Sequence, residues 1–224
     1  MGTFEAFYAS PVQHPWLLWA AAAAGIAFVL TRKQVDATVA RYCGALAVLS
    51  ILDAWLSSSA IYGLGSLSGL AASVVPLFFV LAGDYRYLLV AISGNTSGAI
   101  ALTPKRWAIA LGLTVIVPLT TQLILRLLPG NFDTPRVMFF IYEVLFVILT
   151  ISLLRGNANV REVPWVGKVS QFVIAYYSLW AFADLVILTT GADIGYGIRV
   201  VPNVLYYGGL IAAIGHYSRQ SSRS

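Results

Sequence analysis

Four carboxylates and two guanidiniums stand inside stretches of this chain that are otherwise apolar enough to cross a bilayer. They are Asp53, Asp84, Arg86, Glu143, Asp184 and, nearer a helix end, Arg199. A charge in hydrocarbon costs several kcal/mol unless it faces a partner or a protein-lined cavity, so each of these groups is a candidate for function. A carboxyl that desolvation keeps protonated at neutral pH is a proton donor, and that is the chemistry these residues suggest.

Spacing assigns each group a face. Ser50 and Ser57 stand three before and four after Asp53, which puts Ser, Asp and Ser on one helical stripe. Asp84 and Arg86 are two residues apart, roughly 200° around a helix, so they cannot share a face and each needs a partner on another element. Arg86 has a second option, reaching along the helix to the membrane surface. Phe139 and Phe146 flank Glu143 at i−4 and i+3, and Tyr177 and Trp180 precede Asp184 at i−7 and i−4. Arg199, Asn203 and Tyr206 or Tyr207 form a stripe near the C-terminal end. By depth, Asp53 and Asp84 belong near the midplane, while Glu143, Asp184 and Asn203 lean outward. One elongated pocket, or two separate ones, accommodates this set.

Aromatic residues make up 13% of the chain, and Trp55, Tyr85, Tyr142, Phe146, Tyr177, Trp180, Tyr206 and Tyr207 fall beside the acids. Ring faces stabilise cations, the more so when desolvated. An acid in an aromatic pocket can therefore protonate an alkene or epoxide and shelter the carbocation. The competing role is structural: interhelical hydrogen bonds between such polar groups are worth about 0.6–2 kcal/mol each.

The elements that must position these side chains follow from composition. The chain is 59% hydrophobic and 10% charged, with mean hydropathy +0.81, where soluble domains carry about 25% charged residues. Seven continuous apolar blocks, 15–31, 42–63, 70–92, 106–127, 136–155, 168–190 and 197–217, have the roughly 20 residues needed to span a bilayer as helices. The expected fold is all-α: residues 1–224 form one polytopic domain of seven transmembrane helices. Turns are predicted at Gly63–Ser66, Pro129–Asn131 and Gly191–Asp193 on one side, and at Ser93–Gly98 and Gly156–Asn159 on the other. Trp16, Trp19, Trp107 and Trp165 are expected as headgroup anchors. Pro76, Pro118 and Pro202 are expected to kink their helices.

Basic residues orient the bundle. Arg32, Lys33, Arg41, Lys105, Arg106, Arg155, Arg161, Lys168, Arg219 and Arg223 fall on one side, against Arg126, Arg136 and Arg199 on the other. The excess predicts an external N-terminus and a cytoplasmic C-terminus, in a bacterial inner membrane or the endoplasmic reticulum. The net charge of +5 is then a topology signal, with the lipid bilayer as partner and no nucleic acid. The first block has no basic residue before it and Arg32-Lys33 directly after, so it reads as a retained helix and not a cleaved leader.

Several chemistries are excluded. A retinal Schiff base needs a lysine within the bundle, but Lys33, Lys105 and Lys168 all lie at its edge. The single cysteine, Cys43, rules out an internal disulfide and a cysteine metal site. His14 and His216 lie at opposite ends, against a bis-histidine haem. Hydrolase, zinc-peptidase and phosphate-loop patterns do not occur. No metal or organic cofactor is expected.

In layout the chain resembles the small membrane-bound terpene cyclases of meroterpenoid and indole-diterpene pathways, seven-helix proteins with acids on the second and last helices. Asp53, following Arg32-Lys33, occupies the place of the second-helix acid, and Asp84 in Phe78–Asp84 looks like an acid on the third. Leu153-Leu154-Arg155-Gly156, leading to Gln171-Phe172, is similar in spacing to the fifth-to-sixth connection. The second-helix acid is Asp where the family has Glu, and Asn203 stands where the last-helix acid belongs, which leaves Glu143 or Asp184 for that role. The resemblance implies proton-initiated cyclisation of a lipid-soluble isoprenoid reaching the site laterally. Asp53 would then be the lead donor, Asp84 its partner, and Trp55, Tyr142 and Trp180 the cation-facing walls.

Gly83-Asp84, Ala183-Asp184 and Tyr206-Tyr207 are also similar to lysoplasmalogenase-like membrane hydrolases, which carry two intramembrane aspartates. Those have eight helices, and the histidine expected after the first aspartate is missing here. A proton-coupled carrier or a seven-helix sensor would use the same acids. The catalytic candidates are thus Asp53, Asp84, Glu143 and Asp184. The substrate-binding candidates are Trp55, Arg86, Tyr142, Phe146, Tyr177, Trp180, Asn203, Tyr206 and Tyr207.

Overall fold

The computed structural model describes residues 1–32, 34–56, 70–130 and 134–221, with side chains omitted for 70–77 and 221. Its helices are α1 (Thr3–Tyr8), α2 (Leu18–Leu30), α3 (Ala37–Leu56), α4 (Leu70–Ser93), α5 (Pro104–Leu127), α6 (Pro135–Gly156), α7 (Ala158–Glu162), α8 (Pro164–Thr190), α9 (Ile194–Val204) and α10 (Leu210–Ser221). A π-helical turn, Val12–Leu17, leads into α2, and a second, Leu205–Gly209, joins α9 to α10. There is no strand among the described residues. The all-helical architecture follows from backbone groups that have no water to bond in lipid.

Among the described residues six helical segments are long and apolar enough to cross a membrane: Val12–Leu30, Ala37–Leu56, Pro104–Leu127, Pro135–Gly156, Pro164–Thr190 and Ile194–Gln220. They match six of the expected blocks, though α3 begins five residues before the predicted start. The seventh block coincides with α4, a 24-residue helix. Residues 57–63 of the second block, the turn at Gly63–Ser66, Asn131, Lys33, Arg223 and the ring of Pro76 lie outside the described residues.

Local chemistry sets the helix ends. Thr103, Thr134 and Asn157 accept hydrogen bonds from the amides of Arg106, Val137 and Val160 (3.3, 3.3 and 3.2 Å), and Pro104, Pro135 and Pro164 occupy first-turn positions. Gly191 closes α8 at φ +64, a left-handed conformation that suits glycine. α1 and α7 are too short to show as apolar blocks and were not expected.

The bundle closes around α8, which packs against α4, α6, α9 and α10. α2 lies on α3 and α10. Its contact with the second π turn brings backbones together: a Cβ on Gly25 would sit 2.5 Å from the Gly208 carbonyl oxygen, and one on Gly208 would overlap the Ala21 carbonyl. Small residues permit this approach, the usual basis of helix association in lipid.

Polar bonds tie the connections into two ends. At one, Trp165 donates to the Asn95 carbonyl (2.7 Å), Asn159 to Ala91 (2.8 Å) and Lys168 to Gln220 (3.1 Å). At the other, Asp193 accepts from the amides of Phe4 and Glu5, both at 2.9 Å, and fixes α1 onto α9. Trp16 and Trp107 are half-exposed as expected of anchors, whereas Trp165 is buried at 1% exposure, its indole spent on the loop carbonyl. That corrects its expected role.

Candidate functional site

Helices α4, α6, α8 and α9 converge on a cavity of about 140 Å³ that contains two of the four acids. Asp84 of α4 and Glu143 of α6 both line it. Tyr142, Phe139, Tyr177, Trp180 and Tyr206 supply aromatic walls, with Val80 and Arg199 completing the lining.

Asp84 is buried and accepts hydrogen bonds from two phenols, Tyr142 at one carboxylate oxygen and Tyr177 at the other. These donors come from α6 and α8, so one carboxylate joins three helices. Trp180 is held in turn by donating its indole N–H to Asn203 Oδ1 at 2.8 Å. Phe146 is buried behind the wall, its ring centroid 4.3 Å from that of Tyr177.

Beside the cavity lies an ion cluster. Asp184, wholly buried, pairs with Arg136 at 2.9 Å and with Arg199. Arg199 also stands 3.5 Å from Glu143 and donates to the Tyr8 hydroxyl at 3.2 Å, so α1 contacts this cluster. Glu143 and Asp184 thus share Arg199 as a counter-ion. One oxygen of each, Glu143 Oε2 and Asp184 Oδ2, is buried with no hydrogen-bond partner among the described residues.

Asp53 belongs to a neighbouring group. Tyr207 is within hydrogen-bonding reach of it, and Arg86 feels its charge. Arg86 is buried, donating to Ser50 Oγ (2.8 Å) and to the carbonyls of Gly83 (3.2 Å) and Tyr206 (3.3 Å). Its guanidinium lies 3.8 Å above the Tyr206 ring. The option of reaching to the surface is overturned, because every arm of the guanidinium is engaged inside. Tyr206 and Tyr207 both turn inward from the π turn, a feature common at functional sites.

Of the candidates, Asp84, Glu143, Tyr142, Tyr177, Trp180 and Tyr206 meet at one cavity. Asp53, Arg86 and Tyr207 form the adjacent group, Asp184 sits in the ion cluster, and Asn203 and Phe146 support the wall. Trp55 is 40% exposed and does not line the cavity, which removes it as a cation-facing wall. Arg136 and Tyr8 were not expected. Arg136 stands seven residues before Glu143, the spacing of two helical turns, and that signal marks it as a same-face partner. Tyr8 carries no comparable signal, since the fold alone brings α1 to the cluster.

Comparison with protein-family models, with curated proteins and with solved structures finds no match to this chain.

Proposed function

We propose that this is a seven-span integral membrane protein with its N-terminus outside, and that its Glu143–Asp184 pair delivers a proton into the cavity lined by Glu143 and Asp84. The observation that carries this reading is a charge count. Among the described residues four buried carboxylates (Asp53, Asp84, Glu143 and Asp184) stand against two buried guanidiniums (Arg86 and Arg199) and the part-exposed Arg136, which pairs with Asp184. Arginine does not give up its proton, and an uncompensated charge in this environment is costly. One proton restores neutrality. Glu143 is its seat, because Asp84 already accepts two donors and Asp184 pairs with two arginines, while Glu143 stands 3.5 Å from one.

The groups facing that proton are Asp184 from α8, Arg199 from α9, Arg136 and Tyr142 from α6, and Asp84 from α4. The rings of Phe139, Tyr142, Trp180 and Tyr206 are placed to stabilise positive charge developing in the cavity. The reaction most in keeping with these groups is acid-initiated cyclisation of a lipid-soluble isoprenoid. Glu143 protonates the alkene or epoxide end, the rings shelter the cation, and Asp84 offers the counter-charge and a base for the final deprotonation. The cavity is smaller than the roughly 300–1,000 Å³ of sites that enclose whole drug-sized ligands. It therefore takes the reacting end of a chain and not all of it.

The test is product formation from prenylated substrates and their epoxides by the protein in membranes. Glu143→Gln and Asp84→Asn are expected to abolish it, while Asp53→Asn, outside the cavity, leaves most of it. Full turnover by Glu143→Gln would overturn the assignment. The small cavity volume favours a second reading, a proton-coupled carrier of a small cation. Its signature is pH-dependent flux in proteoliposomes that Glu143→Gln removes.

A further inference from the structure

The cavity of Asp84 and Glu143 is walled by rings whose polar hydrogens are all donated elsewhere. Tyr142 and Tyr177 give theirs to the two oxygens of Asp84, and Trp180 gives its indole N–H to Asn203. Hydrogen bonds polarise the groups they join, so a phenol or indole that donates to an oxygen gains electron density in its ring. These rings therefore attract positive charge more strongly than free phenols do, and the carboxylate they hold lines the same space. Phe139 adds a ring at the rim; it is 39% exposed, which puts the mouth of the cavity at the start of α6.

We propose that this cavity binds a compact methylated ammonium group, with Tyr142, Tyr177 and Trp180 around its methyls and Asp84 as its counter-charge, an assignment that rests on the reading above of a cavity placed to face positive charge. Size limits the ligand. The cavity of about 140 Å³ is close to the roughly 150 Å³ that takes up a benzene molecule, and a trimethylammonium head is of that bulk. Hydrogen bonding then selects among cations. A primary ammonium carries three N–H donors, and each Asp84 oxygen already accepts a phenol. A hard metal ion asks for about six oxygen ligands, and among the described residues no three of His, Cys, Asp and Glu gather to hold one. A fully methylated nitrogen asks for neither. It spreads its charge over carbons that rest on ring faces, an attraction that grows as water is excluded.

The neighbouring charges permit such a guest. Arg199, the guanidinium in the lining, pairs with Asp184 and stands 3.5 Å from Glu143. Tyr206 lines the cavity too, but its ring already carries Arg86 at 3.8 Å, so it contributes less than the other rings. Arg86 itself lines a separate apolar cavity of about 460 Å³ between α3, α4 and α5.

The test is equilibrium dialysis of the full-length protein in neutral detergent with radiolabelled choline. The competitors are tetramethylammonium and the neutral isostere of choline, in which a tert-butyl group replaces the trimethylammonium. Saturable binding is expected, displaced by tetramethylammonium, with the isostere weaker than choline by roughly tenfold or more, since only the charge differs between them. Asp84→Asn, which keeps the side-chain volume, is expected to bring choline down to the level of the isostere. Trp107→Phe, on the exposed face of α5, leaves binding unchanged. Binding that never saturates, or an isostere that displaces choline as well as choline itself does, overturns the proposal. That comparison is made within the wild-type protein and depends on no variant folding. If the isostere competes equally while Glu143→Gln still abolishes turnover of prenylated substrates, the ammonium site fails and the acid-initiated reaction stands. If choline binds with the expected preference and no prenylated substrate is turned over, the ammonium site stands and the reaction fails.

Discussion

Tyr206 rests against Gly83: a single methyl group added to that glycine would overlap the phenol hydroxyl. The contact places the aromatic ring between α4 and the π turn, with Arg86 stacked on its face. Glycine is needed here for space, since its backbone lies within a regular helix.

Gly83→Ala is therefore expected to displace Tyr206 and destabilise the fold by about 1–3 kcal/mol, as overpacking does. Adding Tyr206→Phe removes the closest clashing atom, though the ring Cζ still lies 2.7 Å from the new methyl, and restores part of the loss. A double-mutant cycle of thermal unfolding in detergent checks this, and additive effects of the two changes would refute the contact.

Asp184 is the keystone of the ion cluster. Replacing it with Asn leaves Arg136 and Arg199 with Glu143 alone, and breaking a buried pair from one side costs about 3–5 kcal/mol. Arg136→Gln is milder, about 1 kcal/mol, because the Arg136 side chain is 26% exposed and Arg199 still holds Asp184. If Glu143 carries the shared proton, Asp184→Asn also makes it ionise. The protonated-carboxyl band in infrared difference spectra is then lost together with stability.

The bundle was legible because hydrophobic blocks of spanning length have few alternatives, and the acids stood out as exceptions within them. Helical spacing also separated Asp84 from Arg86 correctly, and they face different cavities. What spacing could not supply was the partner on another helix. Asp53 and Asp84 are both expected near the midplane, yet only Asp84 meets Tyr142 and Tyr177, because α4 packs on α8 whereas α3 packs on α2 and α10. Trp55 misleads for a related reason: it follows Asp53 by two residues and so lies on the other face of α3. The π turn at Leu205–Gly209 is a further limit, since a regular 3.6-residue period would not turn Tyr206 and Tyr207 inward together.

Outside the spans, Asp36 caps α3 by accepting from the Thr38 amide at 2.8 Å. The Thr38 hydroxyl first, and the amides of Thr38 and Val39 after it, hold the Asp36 carboxyl below its ordinary value of 3.8 against a smaller opposing effect of burial. A lowered acid contributes stability above its unfolded value and loses it as pH falls through the folded one. Protection of the first α3 amides from hydrogen exchange is thus expected to fall below about pH 3.8. The effect is at most about 1 kcal/mol, because the group is exposed. Asp36→Asn keeps the cap and abolishes the pH dependence.

Tyr142 and Tyr177 bind opposite oxygens of one carboxylate, so their contributions depend on its charge. Hydrogen bonds to a charged acceptor are worth about 1.5–3 kcal/mol each, and Tyr142→Phe or Tyr177→Phe is expected to cost that much in unfolding free energy. The second removal should cost more than the first, since it strips an ionised buried group of both phenol donors, while Tyr87 still ties α4 to Ser170 of α8. In an Asp84→Asn background the acceptor is neutral, and each Tyr→Phe change falls towards 1 kcal/mol. Equal costs in both backgrounds would mean that Asp84 is not ionised, and the counter-charge assigned to it in the cavity would be lost with that result.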